Sequence, residues 1–153
     1  MRTYTFEKMS IMADKLSLSV SRELNVPVDK VWQALTDPAL IKEYMFGTNA
    51  ESDWEKGSPI TYSGVWEGKE YQDHGTIIDI IPHKKLHTSY YSPMSGKPDV
   101  PENYANVVYE VNPEVDKTIL TISQDNLDDE TAKQYMESNW HTVLDSMKSV
   151  LEK

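Results

Sequence analysis

The side chains in this sequence best placed to do chemistry are aromatic. The chain carries nine tyrosines and four tryptophans. Hydrophobic periodicity puts Tyr62, Trp66, Tyr90, Tyr109, Tyr135, Met136 and Trp140 on the inward faces of their elements. A wall of tyrosine and tryptophan is mostly apolar with a few hydroxyls, the usual composition of a small-molecule site, and methionine adds an adaptable lining. The same residues would also suit a solid core in which each tyrosine hydroxyl reaches the surface. Catalytic constellations are absent. There are no cysteines, which excludes thiolate catalysis, disulfides and cysteine-ligated metals. His83 and His87 are four apart, but Pro82 precedes them and a strand follows, and that spacing in a strand spans roughly 13 Å, too far to share one ion. His74 is expected on the polar face of its strand and His141 beside an apolar helical stripe. The sequence has no Gly-x-Gly-x-x-Gly, Walker-type loop, His-Glu-x-x-His or Gly-x-Ser-x-Gly. Asp128 and Asp129 read as helix caps rather than an acid–base pair. No catalytic residue, metal or cofactor is therefore assigned.

Length and charge bound the rest. One hundred and fifty-three residues suffice for one core, with roughly 70% of the unfolded surface buried. The formal charge of −10 argues against nucleic acid, whose phosphates reward lysine and arginine. The acid is concentrated between Lys97 and Thr131, where nine acidic residues meet two basic ones. That region is either a solubilising surface or a docking face for a basic partner. Apolar runs of four or five residues are far short of the roughly 20 needed to span a membrane. No charged-then-apolar leader opens the chain, so a cytoplasmic setting is expected.

These side chains need elements to position them. Residues 1–13 read as an extension or an added edge strand (Tyr4, Phe6), and residues 14–153 as one domain. Leu16, Leu18, Val20 and Leu24 alternate with Ser17, Ser19, Ser21 and Glu23, a half-buried strand. After Pro27, Val28, Val31, Trp32 and Leu35 lay one stripe of a helix, and Asp37-Pro38 starts a second, shorter helix near Ala39 to Tyr44. Past Gly47 the period turns to two. Ile60, Tyr62 and Trp66 share one strand face, Gly68-Lys69 is the expected hairpin turn, and Tyr71 to Ile81 forms the next strand. Leu86 to Tyr91 follows Pro82. Ser92 to Glu102, with Pro93, Gly96, Pro98 and Pro101, is expected to be a loop. Tyr104 to Val111 and Lys117 to Asp125 are strands around an Asn112-Pro113 turn. Asn126, Asp128, Asp129 and Glu130 then open a long helix whose apolar stripe runs from Ala132 to Leu151. This is an α+β chain whose long helix must lie across a curved antiparallel sheet.

Four segments resemble a known family. Val26-Pro27-Val28-Asp29-Lys30-Val31-Trp32-Gln33-Ala34-Leu35-Thr36-Asp37-Pro38 is similar to its opening signature. Gly75 to Leu86 is similar to its central stretch, Thr118 to Asp125 to its last strand, and Asn139-Trp140 with Leu144, Met147 and Leu151 to its closing helix. Together they resemble the START-like helix-grip (SRPBCC) superfamily, and within it the group named after the C-terminal domain of the heat-shock protein 90 ATPase activator. The resemblance implies a curved antiparallel sheet wrapped around the long C-terminal helix, two short helices after the first strand, and a cavity open at one end. Its wall would comprise Tyr62, Trp66, Tyr90, Tyr109, Met136 and Trp140, with Ser92 to Glu102 near the mouth. Relatives in the superfamily bind hydrophobic molecules, and some catalyse cyclisation or hydrolysis. Two departures bear on the cavity: Tyr44-Met45-Phe46 where the family usually has tryptophan, and Ser138 where glycine usually precedes the Asn139-Trp140 pair, expected to change how closely the helix approaches the sheet.

The expected function is binding of a small hydrophobic or amphipathic molecule without catalysis. One alternative is a chaperone-associated interaction module using the acidic surface around Glu110, Glu114 and Asp116. Another is a cyclase- or hydrolase-like enzyme in the same cavity, with a tyrosine or His74 as acid.

Overall fold

The structure, a computed structural model, describes residues 15–153; the expected extension around Tyr4 and Phe6 lies outside them. The alternation of leucine and serine builds β1 (Leu16–Leu24), with Leu18, Val20 and Leu24 buried. Pro27 caps α1 (Val28–Thr36), which buries Val31, Ala34 and Leu35. Asp37 accepts a hydrogen bond from the Ala39 amide at 2.9 Å and starts α2 (Pro38–Tyr44), the capping geometry its position predicts. Six strands follow: β2 (Asn49–Ser52), β3 (Pro59–Trp66), β4 (Lys69–Ile81), β5 (Lys85–Tyr90), β6 (Ala105–Glu114) and β7 (Lys117–Leu127). The last element is α3 (Glu130–Leu151), whose N-cap Asp129 accepts from the Ala132 amide at 2.8 Å.

All seven strands form one antiparallel sheet in the order β1-β7-β6-β5-β4-β3-β2. The two short helices and α3 cover its concave face, and the core of Leu24, Val31, Ile41, Ile60, Ile77, Leu86, Leu120, Ile122, Leu144 and Met147 lies between them. This is the expected α+β helix-grip architecture.

Several boundaries differ from the expectation. β2 has no periodic signal, because four residues reading Asn-Ala-Glu-Ser carry only one apolar side chain, Ala50. The β3–β4 hairpin turns on Glu67-Gly68 rather than Gly68-Lys69. Trp66 pairs with Lys69, and both turn residues take positive φ, 49° and 80°, as a tight two-residue hairpin requires. The β6–β7 turn is Val115-Asp116, not Asn112-Pro113; the strand runs through Pro113, which stands opposite Thr118. The Val111 amide bonds Lys84 beyond the start of β5. Pro113 lies past that point on the same side, so its missing N–H removes no ladder bond. Ser92 to Glu102 is irregular as expected, with short 3-10 turns at Pro93–Ser95 and Pro101–Asn103.

Candidate functional site

The long helix is buried unevenly, and that makes the site. Leu144 and Met147, in its C-terminal half, are fully covered, whereas Met136 and Trp140 are half-buried and Tyr135 is exposed. One apolar stripe runs the whole length of α3, but only its second half packs into the core. Its first half roofs a cavity of about 370 Å³ between helix and sheet, within the size range of small-molecule sites.

Tyr62, Trp66, Tyr90, Tyr109, Met136 and Trp140 all line this cavity, as does Tyr135. Their elements explain the convergence. Alternation along β3 sends Tyr62 and Trp66 to the face that holds Ile60; along β5, Tyr90 follows Leu86 and Thr88; along β6, Tyr109 lies between Val107 and Val111. Met136 and Trp140 are four residues apart on one face of α3. The Trp140 ring meets the Tyr109 ring edge-on, at 5.9 Å and 85°, a favourable aromatic arrangement.

The polar groups of the lining are held by one another. Trp140 Nε1 donates to Gln124 Oε1 at 2.8 Å. The Tyr71 and Thr48 hydroxyls hydrogen-bond at 2.6 Å. Tyr90 donates its hydroxyl to Asp73 Oδ2 at 2.6 Å, while Asp73 Oδ1 is buried without a partner. Burial pushes the Tyr62 phenol up to about 12, partly offset by the neighbouring Tyr109 hydroxyl. Burial also raises Tyr109 and Tyr90, and the charge of Asp73 raises Tyr90 further. These phenols are therefore neutral at physiological pH. The cavity offers apolar surface, neutral hydroxyls and one carboxylate, and Tyr90 with Asp73 is the hydroxyl–carboxylate pair in its described lining.

Trp66 is 59% exposed and Tyr135 67%, and with Phe46, Val65 and Met94 they ring the mouth. These are five of the eight large apolar side chains that stay exposed among the described residues. A contiguous exposed apolar rim marks a place where apolar molecules are met.

Several lining residues escaped the sequence reading. Asp73 and Tyr71 share an inward phase that the apolar pattern of β4 does not show, because both are polar or amphipathic. Gln124 continues the inward series Thr118, Leu120, Ile122, so strict alternation marks it despite its polarity. Met45, Phe46 and Met94 come from loops that carry no periodicity; the family resemblance, not the apolar pattern, points to Tyr44-Met45-Phe46 and to the Ser92 to Glu102 segment at the mouth. Ser138 is exposed, so it does not set the approach of helix to sheet. His74 lies one residue out of phase with Asp73 and does not line the cavity. Its Nε2 lies 3.1 Å from both Asp99 Oδ2 and the Tyr104 hydroxyl, and its ring packs on Tyr91. This cluster ties much of the Ser92–Asn103 segment to the strand, while Met94 alone of that segment lines the cavity. Asn126 and Asp128 do not cap α3: Asn126 bonds the carbonyls of Glu102 and Tyr104, and Asp128 pairs with Lys15 and Lys97.

A second crevice, of about 430 Å³, lies between Asn25–Val28 and the Pro113–Lys117 hairpin. It is lined by Glu114, Asp116 and Lys117 and holds no aromatic residue. Val26, Pro27, Val28 and Pro113 give it some apolar wall, but it lacks the aromatic lining of the cavity under α3.

Comparison with known proteins places this architecture. The sequence profile of the family described as activator of Hsp90 ATPase homolog 1-like protein matches residues 25–152. The solution structure of ChR145 from Cytophaga hutchinsonii is 42% identical and superposes with a TM-score of 0.81, covering 92% of this chain and 97% of that one. The crystal structure of CalU16 from Micromonospora echinospora is 23% identical, with a TM-score of 0.72 over 90% of this chain and 76% of that one. Protein NE0264 from Nitrosomonas europaea is also 23% identical, with a TM-score of 0.72 over 90% and 94%. The last two likenesses bear on the fold alone. Among curated proteins none matches.

Proposed function

The chain belongs to the activator of Hsp90 ATPase homolog 1-like family, and from that premise we propose that it binds a small hydrophobic or amphipathic molecule, without catalysis, in the cavity under α3. The family has a helix-grip fold known to bind hydrophobic ligands. The observation that carries the reading is the uneven burial of α3: a stripe able to fill a core is instead half used for core and half for an aromatic chamber with an apolar rim. Tyr62, Trp66, Tyr90, Tyr109, Met136 and Trp140 are the residues proposed to contact the ligand. The test is titration with the neutral fluorophore N-phenylnaphthylamine. Saturable enhancement that Trp140→Ala lowers and the exposed Lys30→Ala leaves unchanged supports the reading. Enhancement that is absent, or equal in all three proteins, overturns it.

One observation favours a second reading, a protein-interaction surface. Val115 is 87% exposed at the tip of the β6–β7 hairpin, between Glu114 and Asp116 and beside the second crevice. An apolar tip flanked by acids suits a basic partner, such as a chaperone segment, whose binding would weaken with salt. Loss of partner capture in Val115→Asp, with N-phenylnaphthylamine binding intact, would support it.

A further inference from the structure

We infer that the cavity selects a ligand bearing a protonated nitrogen, an alkyl- or arylammonium whose N–H groups pair with the carboxylate of Asp73. The inference deepens the proposed binding function and rests on it. Among the described lining residues, Asp73 is the only charged side chain; no lysine, arginine or histidine accompanies it. It stands opposite Tyr62 in the β3–β4 register. Tyr90 satisfies Oδ2 and fixes the carboxylate, leaving Oδ1 buried with no donor. A carboxylate accepts at several lone-pair positions, and a buried acceptor without a donor is costly. Oδ1 is closed to solvent as the side chains stand, so a ligand N–H that supplies the missing donor must first displace a neighbouring side chain.

The rest of the chamber points to the same charge. Tyr62, Trp66, Tyr90, Tyr109 and Trp140 line it, and an aromatic ring attracts a cation that sits over its face, most strongly where water is excluded. An ammonium bonded to Asp73 would also be charge-paired rather than buried alone. A fatty-acid or phosphate head would face Asp73 with no cation to offset it, on a chain already at −10. An alcohol would provide one donor but no opposite charge.

Calorimetric titration of decylammonium and decanoate, each below its micelle concentration, and of decanol below its solubility limit, separates these cases. Decylammonium is expected to bind at least about tenfold more tightly than decanol, with decanoate weakest. Asp73→Asn should collapse that ranking, and Trp66→Ala should weaken all three alike; thermal melts of both variants verify folding. If Asp73→Asn does not fold, the wild-type ranking and its loss in high salt decide the matter. Equal binding of all three probes overturns charge selection and leaves the cavity reading standing. Binding of none overturns both.

Discussion

The Trp140 indole, on the half of α3 that stands off the sheet, donates to Gln124 Oε1 on β7 at 2.8 Å. The bond crosses from the roof to the floor of the cavity, and Gln124 is only 6% exposed. Trp140→Phe keeps an aromatic ring but leaves the buried amide oxygen without its donor. It should destabilise by about 1–3 kcal/mol. Gln124→Leu combined with Trp140→Phe should cost less than the sum of the single changes, read from denaturant melts as a double-mutant cycle.

Trp66 separates binding from stability. Its indole is 59% exposed at the mouth, so Trp66→Ala should change unfolding free energy by no more than about 0.5 kcal/mol. Affinity for an apolar probe should fall several-fold, to about tenfold, as apolar contact is lost. A large fall in melting temperature instead would mean that the rim is structural.

Gly75 explains how β4 and β5 stay close beside the site. A Cβ there would lie 1.8 Å from the Ser89 carbonyl oxygen, a backbone atom that cannot move aside alone. Gly75→Ala should therefore cost about 2–4 kcal/mol. Because Asp73 lies two residues from Gly75 and Tyr90 is next to Ser89, probe affinity should fall as well.

The C-terminus of α3 is fastened by Glu152. Its carboxylate accepts from the Asn25 amide at 2.8 Å and from Lys148 Nζ at 2.7 Å, and Lys148 also bonds the Glu23 carbonyl. The Asn25 amide, then Lys148, holds this carboxyl below its ordinary value of 4.5. A lowered folded-state value means that the unfolded chain takes up the proton first. The stabilisation is thus present above pH 4.5 and is lost as pH falls through the lower folded value. Glu152→Gln should destabilise by about 1 kcal/mol at neutral pH, and the difference from the parent should shrink in acid melts.

At the alkaline end the sign reverses. Burial raises Tyr62, Tyr90 and Tyr109 above the ordinary 10.0, so the unfolded chain loses these protons first. Their contribution to stability is complete below pH 10 and falls as pH rises through about 12, the value for Tyr62. Ultraviolet titration should show these phenols ionising late and together with unfolding. A bound apolar ligand should delay that step further.

The strong periodicities carried most of the architecture. Leu16 to Leu24 alternates cleanly and Val28 to Leu35 repeats at helical spacing, and both elements form as read. What periodicity could not show was depth. Met136 and Trp140 belong to the same stripe as Leu144 and Met147, and nothing in the order of residues says that one pair faces a chamber and the other a packed core. Asp73 was hidden for the opposite reason: a carboxyl on an inward face contradicts the hydrophobic pattern by which inward faces are found. Pro113 shows how a local signal can mislead, since a proline marks a turn only where its absent N–H would have been needed.

The aromatic chamber under α3, and not the crevice beside the Pro113–Lys117 hairpin, is the proposed ligand site. Titrating decanol into isotopically labelled protein while following amide and indole resonances tests it most directly. A ligand in this chamber should give saturable shifts concentrated on Tyr62, Trp66, Tyr90, Tyr109, Met136 and Trp140, with the Trp140 indole N–H among the largest. Shifts that do not saturate, or that gather at Asn25–Val28 and Pro113–Lys117, would contradict it.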